Sequence, residues 1–443
     1  MTMVLVQKYI TGRTAVKIAA DIEAAIRAGS LAPGEQLPSV RALADDIGMS
    51  PATVASAYQL LQSRALVASQ GRRGTRICHR PLATARPRAA LAAGAVNAAD
   101  GNPDPALLPD SARILRTLDY RPHLYGEPTM HEGLIALMRR AMEADGIKAD
   151  HCCVVSGAMD GFDRLITEHL LPGDRIAVED PGFTGHHDLA ASRGLSLVPV
   201  RMDDEGMLPD ALARACAQRV HAVLITPRVQ SPTGAALSPE RARELRGVLR
   251  RYPTVLVIED DHCSFLAEST PFQRVHDPRG RWAHLRSFSK SFNPDLRLAV
   301  MTGDEETMVR LLDRLVVVER WVSMVLQSLA HELLLDSRAL AHVRKAARTY
   351  DERREALVAA LQKHGLHPLG RSGYNVWLPV SEETPTVQAL AQAGWAVAPG
   401  ERFRLGSPPG IRITASRFGP HDPRRFADAA SAVLTSPHRI ATA

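Results

Sequence analysis

The 443-residue chain reads as a two-part α/β protein: a small helical head closed by a β-hairpin, then a two-lobed body with a mostly parallel sheet and a smaller α+β lobe. Three observations predict this. Apolar residues recur at four-residue spacing near the N-terminus, short apolar β-type runs alternate with helical patterns from residue 151 onward, and the surplus positive charge sits at one end. The length exceeds the roughly 100–200 residues of one ordinary domain. Composition and pattern divide it into a head over 1–78, a linker over 79–97 and a body over 98–435.

Within the head, Ile18, Ile22 and Ile26 form one buried stripe on a helix from Thr14 to Ala28, and Gly29 stops it. Ser39 caps a short second helix with Val40, Leu43, Ala44 and Ile47 facing inward. After the break Gly48-Met49-Ser50, a third helix opens with Ser50 as cap and Pro51 at its first position. Its apolar side is Val54, Ala57, Tyr58 and Leu61, and its other side offers Thr53, Ser56 and Gln59, small and polar enough to enter a major groove. Leu66–Ala68 and Thr75–Ile77 bracket the basic tip Ser69-Gln70-Gly71-Arg72-Arg73-Gly74. In residues 1–90 twelve basic side chains stand against five acidic ones, whereas the rest of the chain sums to −1 although the whole carries +6. Such a surplus attracts a phosphate backbone, although a solvated basic face has the same composition. The Ala-, Arg- and Pro-rich stretch from Cys78 to about Asp100 reads as a flexible tether.

The body's candidate strands are 151–155, 175–178, 195–199, 222–225, 255–258 and 285–288. In sheets of this kind ligands gather at the C-terminal strand ends. There the chain places Ser156-Gly157-Ala158-Met159, a helix start suited to phosphate; Glu179-Asp180-Pro181-Gly182-Phe183, an aromatic turn; Ser231-Pro232-Thr233-Gly234; and the carboxylates Glu259-Asp260-Asp261. The sixth strand leads into Ser287-Phe288-Ser289-Lys290, with Arg297 seven residues on. A lysine between hydroxyls forms a Schiff base with an aldehyde, and a nearby arginine grips phosphate through two parallel hydrogen bonds.

Hydrophobic residues at 45% and charged residues at 23%, with no apolar run near the ~20 residues that span a bilayer, lead us to expect a soluble cytoplasmic protein with no membrane partner. The five cysteines form no CxxC pair, and His186-His187 lacks partners at ligand spacing, so reduced thiols and no metal are expected.

The string LAPGEQLPSVRALADDIGMSPATVASAYQLLQSRALV…GRRGT resembles the GntR-type winged helix-turn-helix. That resemblance implies a double-stranded DNA operator as partner, contacted by Ser39, Arg41, Ser50, Thr53, Arg72, Arg73, Gly74 and Thr75. Many relatives carry Arg where this chain has Pro51. The order SGAMDG, VEDPGF, SPTG, IEDD, SFSK…R and PPGIRIT resembles fold-type I aminotransferases, and the two parts together look like the MocR subgroup of GntR regulators. The resemblance implies pyridoxal 5′-phosphate (PLP) as cofactor, bound to Lys290 as an internal aldimine, with Asp260 at the pyridine nitrogen and Phe183 stacked on the ring. It places Ala158, Met159, Ser287, Ser289 and Arg297 around the phosphate, Tyr125 there from the other subunit of a head-to-tail homodimer, and Arg412 on an effector carboxylate.

Two departures bear on activity: Ser231 stands where the enzymes carry Asn, and His262 where they carry Tyr. A short hydroxyl and an imidazole titrating near neutrality disfavour fast proton transfer. The expected function is a PLP-responsive transcriptional regulator, with PLP or an amine or amino acid as effector and at most residual transamination. GNPDPALLP, IEDDH and SFSKSFNPDLRLA look like the branch that controls vitamin B6 salvage through a pyridoxal kinase gene. An active aminotransferase carrying a DNA-binding head is the alternative, and a cofactor-free scaffold a third.

Overall fold

The computed structural model describes residues 6–32, 34–63, 66–69, 74–77, 94–317 and 320–435. Helix α1 (Ala15–Arg27) starts where Thr14 accepts a hydrogen bond from the Lys17 N–H. It buries Ile18 and Ile22 completely. Helix α2 (Val40–Ile47) is capped by Ser39 and ends at Gly48, whose φ of 64° is the left-handed conformation that a glycine adopts without strain. Helix α3 (Pro51–Ser63) then turns Val54, Ala57, Tyr58 and Leu61 onto the same core. The Tyr58 hydroxyl donates to the Pro38 carbonyl at 2.9 Å, so its burial leaves no polar atom stranded. Burying each of Ile18, Ile22 and Leu61 contributes roughly 1.5–3 kcal/mol, which is what holds three short helices together. Strands β1 (Val67–Ser69) and β2 (Thr75–Ile77) pair antiparallel with Val67 opposite Ile77. Arg72, Arg73 and most of the expected linker lie outside the described residues.

The body begins with β3 (Val96–Ala98), followed by β4 (Cys152–Val155), β5 (Arg175–Asp180), β6 (Ser196–Asp203), β7 (Gly206–Met207), β8 (Ala222–Ile225), β9 (Leu256–Asp261), β10 (Trp282–Ser287) and β11 (Ala299–Gly303). The main sheet runs β4-β11-β10-β9-β8-β5-β6-β7. Its centre is parallel, β5 to β8, β8 to β9 and β9 to β10, and β11 is inserted antiparallel between β10 and β4. The second lobe carries β12 (Asn375–Pro379), β13 (Trp395–Pro399) and β14 (Gly410–Thr414) in the order β12-β14-β13-β3. A separate apolar core fills each lobe. No helix among the described residues is long and apolar enough to cross a membrane. The four described cysteines are buried free thiols.

All six expected body strands form, and four run further than their apolar patterns, β5 to Asp180 and β6 to Asp203 among them. Strand β10 starts at Trp282 rather than Leu285 and β9 ends at Asp261 rather than Ile258. The extra residues include His284, Glu259 and Asp261, whose polar groups are paired inside the protein. Asp261 takes two hydrogen bonds from Arg228, at 2.8 and 2.9 Å, and two from Arg286. Glu259 takes the His276 and His284 rings and the Val275 and His276 N–H groups. Burial alone would push both carboxyl groups up. It is outweighed by His276 at Glu259 and by Arg228 with Arg286 at Asp261, so both stay well below the usual range.

Breaking such a pair strands its partner in a medium that solvates charge poorly. We expect Arg228→Met to lower unfolding stability by about 3–5 kcal/mol in chemical denaturation, far more than removal of the exposed Arg243–Glu240 pair by Arg243→Met.

Candidate functional site

The parallel strands end on one cavity of about 230 Å³. At one end the helix Ala158–His169 starts directly after β4 and its turn, so its first N–H groups and positive dipole end face inward beside Ala158 and Met159. Gly157, at φ +96°, lets the Arg297 guanidinium approach: a Cβ there would lie 3.1 Å from Nη2. Arg297 adopts left-handed backbone itself, at φ 43°, and makes no hydrogen bond or ion pair among the described residues. Ser287 and Ser289 complete this end, and the Ser289 Oγ is buried without a partner. Unpaired donors around a helix start make a phosphate cup.

The middle of the cavity is organised by Asp260. Its Oδ2 lies 3.4 Å from His186 Nε2 and 3.3 Å from His262 Nδ1, while Oδ1 is buried with no hydrogen-bond partner. The His262 contact is an ion-pair distance without hydrogen-bond alignment. Burial drives His186 down to about 4, so it is neutral at physiological pH. His262 departs from the near-neutral titration expected of it: burial favours its neutral form, but neighbouring Cys263 and the Asp260 carboxylate outweigh this and raise it well above the ordinary value. Asp260 remains low because His262, the larger of its partners, overcomes its desolvation. Phe183 meets His186 edge-on at 5.3 Å and lines the wall, and Ser231 lies across the cavity lining as well.

Lys290 Nζ donates to the Gly101 carbonyl at 3.0 Å, and burial holds its amine below the ordinary lysine range, which favours the nucleophilic form. At the far end Arg412 projects from β14 with Nη2 on the Ala99 carbonyl; burial lowers it to about 10.

Ten of the eleven residues assigned to PLP, together with Arg412, line this single cavity. Tyr125 does not: it is 80% exposed and packs edge-on against Trp321 at 5.4 Å. The sequence reading missed Asp100, His186, Tyr374 and Asn375, which also line the cavity. His186 was weighed only as a metal ligand. Its place three residues after the turn aromatic Phe183 was the available signal, since a helix turn there points it back at the strand ends. Among the described residues no group of three His, Cys, Asp or Glu is arranged to hold a metal. The unpaired Asp260 Oδ1, Ser289 Oγ and Arg297 fit the ring nitrogen and phosphate of PLP.

In the head, Ser39 and Ser50 spend a lone pair each on the helix starts, accepting from Ala42 and Thr53 N–H, and the Ser50 and Thr53 hydroxyls lie 2.8 Å apart. Arg41, Ser56 and Gln59 are exposed. Gly74 is in left-handed backbone at φ 85° where β2 begins at Thr75.

Glu179 sits behind the cavity wall, accepting from the Thr226 N–H and the Gln230 amide. Burial raises it to about 7 from 4.5, so the folded state holds its proton where the unfolded chain has lost it. Its contribution to stability therefore falls as pH rises from about 4.5 to about 7. Glu179→Gln, with no proton to lose, is expected to show a shallower decline across that window in thermal melts.

Comparison with known proteins agrees with this arrangement. Residues 14–77 match the pattern for bacterial regulatory proteins of the gntR family, and residues 91–429 match aminotransferase class I and II. The chain is 39% identical over 410 residues to the vitamin B6 salvage pathway transcriptional repressor PtsJ of Salmonella typhimurium, covering 92% of this chain and 95% of that one. It is 25% identical to the mouse mitochondrial kynurenine/alpha-aminoadipate aminotransferase, over 72% of this chain and 87% of the enzyme. The kynurenine aminotransferase of Pyrococcus horikoshii superposes with a TM-score of 0.69 at 22% identity, over 77% of this chain and 92% of that one, which establishes the fold of the body. The chain belongs to the MocR subgroup of GntR-family transcriptional regulators, a DNA-binding winged helix-turn-helix fused to a fold-type I aminotransferase-like domain.

Proposed function

We propose that this regulator binds PLP on Lys290 and that occupation of the cavity changes its affinity for operator DNA. The observation that carries the reading is the convergence of Lys290, Asp260 and Arg297 on one cavity in which, among the described residues, Asp260 Oδ1 and Ser289 Oγ are buried unpaired and Arg297 has no counter-ion. Arg297, Ser287, Ser289 and the helix start at Ala158 and Met159 would hold the phosphate, Phe183 would cover one ring face, and Ser231 would face the ring oxygen. When bound, PLP supplies an electrophilic aldehyde and an electron-withdrawing ring. The lowered Lys290 amine is the group on this chain suited to carry it. Tyr125 would reach the phosphate of the other subunit in a head-to-tail homodimer.

A regulator is favoured over an aminotransferase by His262. Its ring lies 3.3 Å from Asp260 and its surroundings favour the protonated form, so a protonated ring nitrogen must share that carboxylate with the imidazole. Sharing weakens the electron withdrawal that rapid transamination depends on. The similarity to PtsJ motivates vitamin B6 salvage genes as targets. Arg41, Thr53, Thr75 and the basic tip with Arg72 and Arg73 would contact the operator.

Purified parent protein should show the visible absorbance of lysine-bound PLP. Lys290→Ala should lose that band, and Asp260→Asn should weaken PLP binding about tenfold or more. A parent that never acquires the band defeats the cofactor claim. Turnover of an amino-acid and keto-acid pair at ordinary enzyme rates, about 1–10³ per second, would establish the aminotransferase instead.

A further inference from the structure

Beside the groups assigned to PLP, the cavity holds a second set of donors that PLP leaves unused. Arg412 is 7% exposed, and no carboxylate among the described residues pairs with it. Its Nη2 is committed to the Ala99 carbonyl and its Nε is sealed from solvent without a partner, so Nη1 is the remaining donor that a ligand could reach. A carboxylate has two oxygens to satisfy, and burying one unpaired is costly.

Asn375 supplies the missing donor. It is 5% exposed and lines the same cavity. Its Oδ1 accepts from the Thr414 hydroxyl at 2.9 Å, which fixes the amide, and its Nδ2 makes no hydrogen bond among the described residues. Strand register puts Asn375 opposite Thr414 and Trp377 opposite Arg412, so Asn375 and Arg412 project from one face of the β12–β14 pair. Asn375 also abuts the 231–234 turn through its carbonyl, next to Gly234. Asn375 and Ser231 line the same cavity, so the second lobe supplies to it an amide that Ser231 does not.

We propose that Asn375 is a specificity-determining residue of the effector site: its amide holds the second oxygen of a carboxylate whose first oxygen is held by Arg412. The two together select amines that bear a carboxylate, that is, amino acids, over simple amines. This rests on the reading that PLP occupies Lys290.

The test titrates full-length PLP-loaded protein with glycine and L-alanine, and in parallel with methylamine and ethylamine, the same amines without the carboxylate. The change in visible absorbance is followed. Asn375→Ala is expected to weaken the response to both amino acids about tenfold and to leave both simple amines unchanged. Asn375→Asp, which adds repulsion, should abolish the amino-acid response alone. An unaltered absorbance before titration shows that each variant is folded and loaded. Equal shifts for amino acids and simple amines, or no shift, overturn the proposal while the PLP reading stands. A loaded parent that answers none of the four overturns the effector site altogether, and a parent that never loads PLP overturns the underlying reading.

Discussion

Three consecutive carboxylates at the end of β9, all but inaccessible to solvent, impose the constraint around which the body is built. A buried charge left alone costs several kcal/mol, so each must find a partner that the fold supplies. Strand alternation divides the task. Glu259 and Asp261 are met by His276, His284, Arg228 and Arg286 within the protein, while Asp260 meets His186 and His262 and leaves one oxygen for the cavity. Arg228 precedes the 231–234 turn and Arg286 lies four residues before Lys290, so the ion pairs at Asp261 also tether the two segments that bring Ser231 and Lys290 to the site. Neutralising the sheet centre and positioning the ligand groups are one requirement.

The head was legible because its information is local. Apolar spacing at Ile18 and Ile22, hydroxyl caps at Ser39 and Ser50, and Gly48 at a left-handed turn each act within a few residues, and each is found where the pattern puts it. Six strands of the main sheet were equally readable, but β3, β7, β11 and the strands β12 to β14 were not expected, and strand ends were not legible. His284 looks like a loop residue until its partner on β9 is known, and that partner lies across the sheet. The same non-locality hid His186 and Asn375. A histidine is an unremarkable residue on a helix and an asparagine on a strand; only the tertiary fold brings them to Asp260 and Arg412. Lys290, Asp260 and Arg297 were found because a lysine between hydroxyls and a carboxylate at a strand end carry chemistry that the local sequence displays.

His262 sharpens the contrast between sensing and turnover. Residues that hold a phosphate or cover a ring need only shape and unpaired donors, and the cavity offers both. Proton traffic needs a carboxylate free to support a charged ring, and here Asp260 already faces the His262 imidazole at 3.3 Å. Binding survives that competition better than catalysis does. A ligand can shift DNA affinity only if it binds two states of the protein unequally, and the same coupling must then appear in reverse, with operator DNA altering ligand affinity.

Whether the cavity and the DNA-binding head are coupled is decided by titrating selected operator DNA with full-length protein in three forms, PLP-free, PLP-loaded, and PLP-loaded with an amino acid, beside Lys290→Ala under the same conditions. Operator affinity of the parent should change with PLP or with the added amino acid, typically about 5–150-fold for a coupled pair of sites, and Lys290→Ala should bind DNA with no such dependence. Identical operator affinity for the parent in all three forms would contradict that coupling.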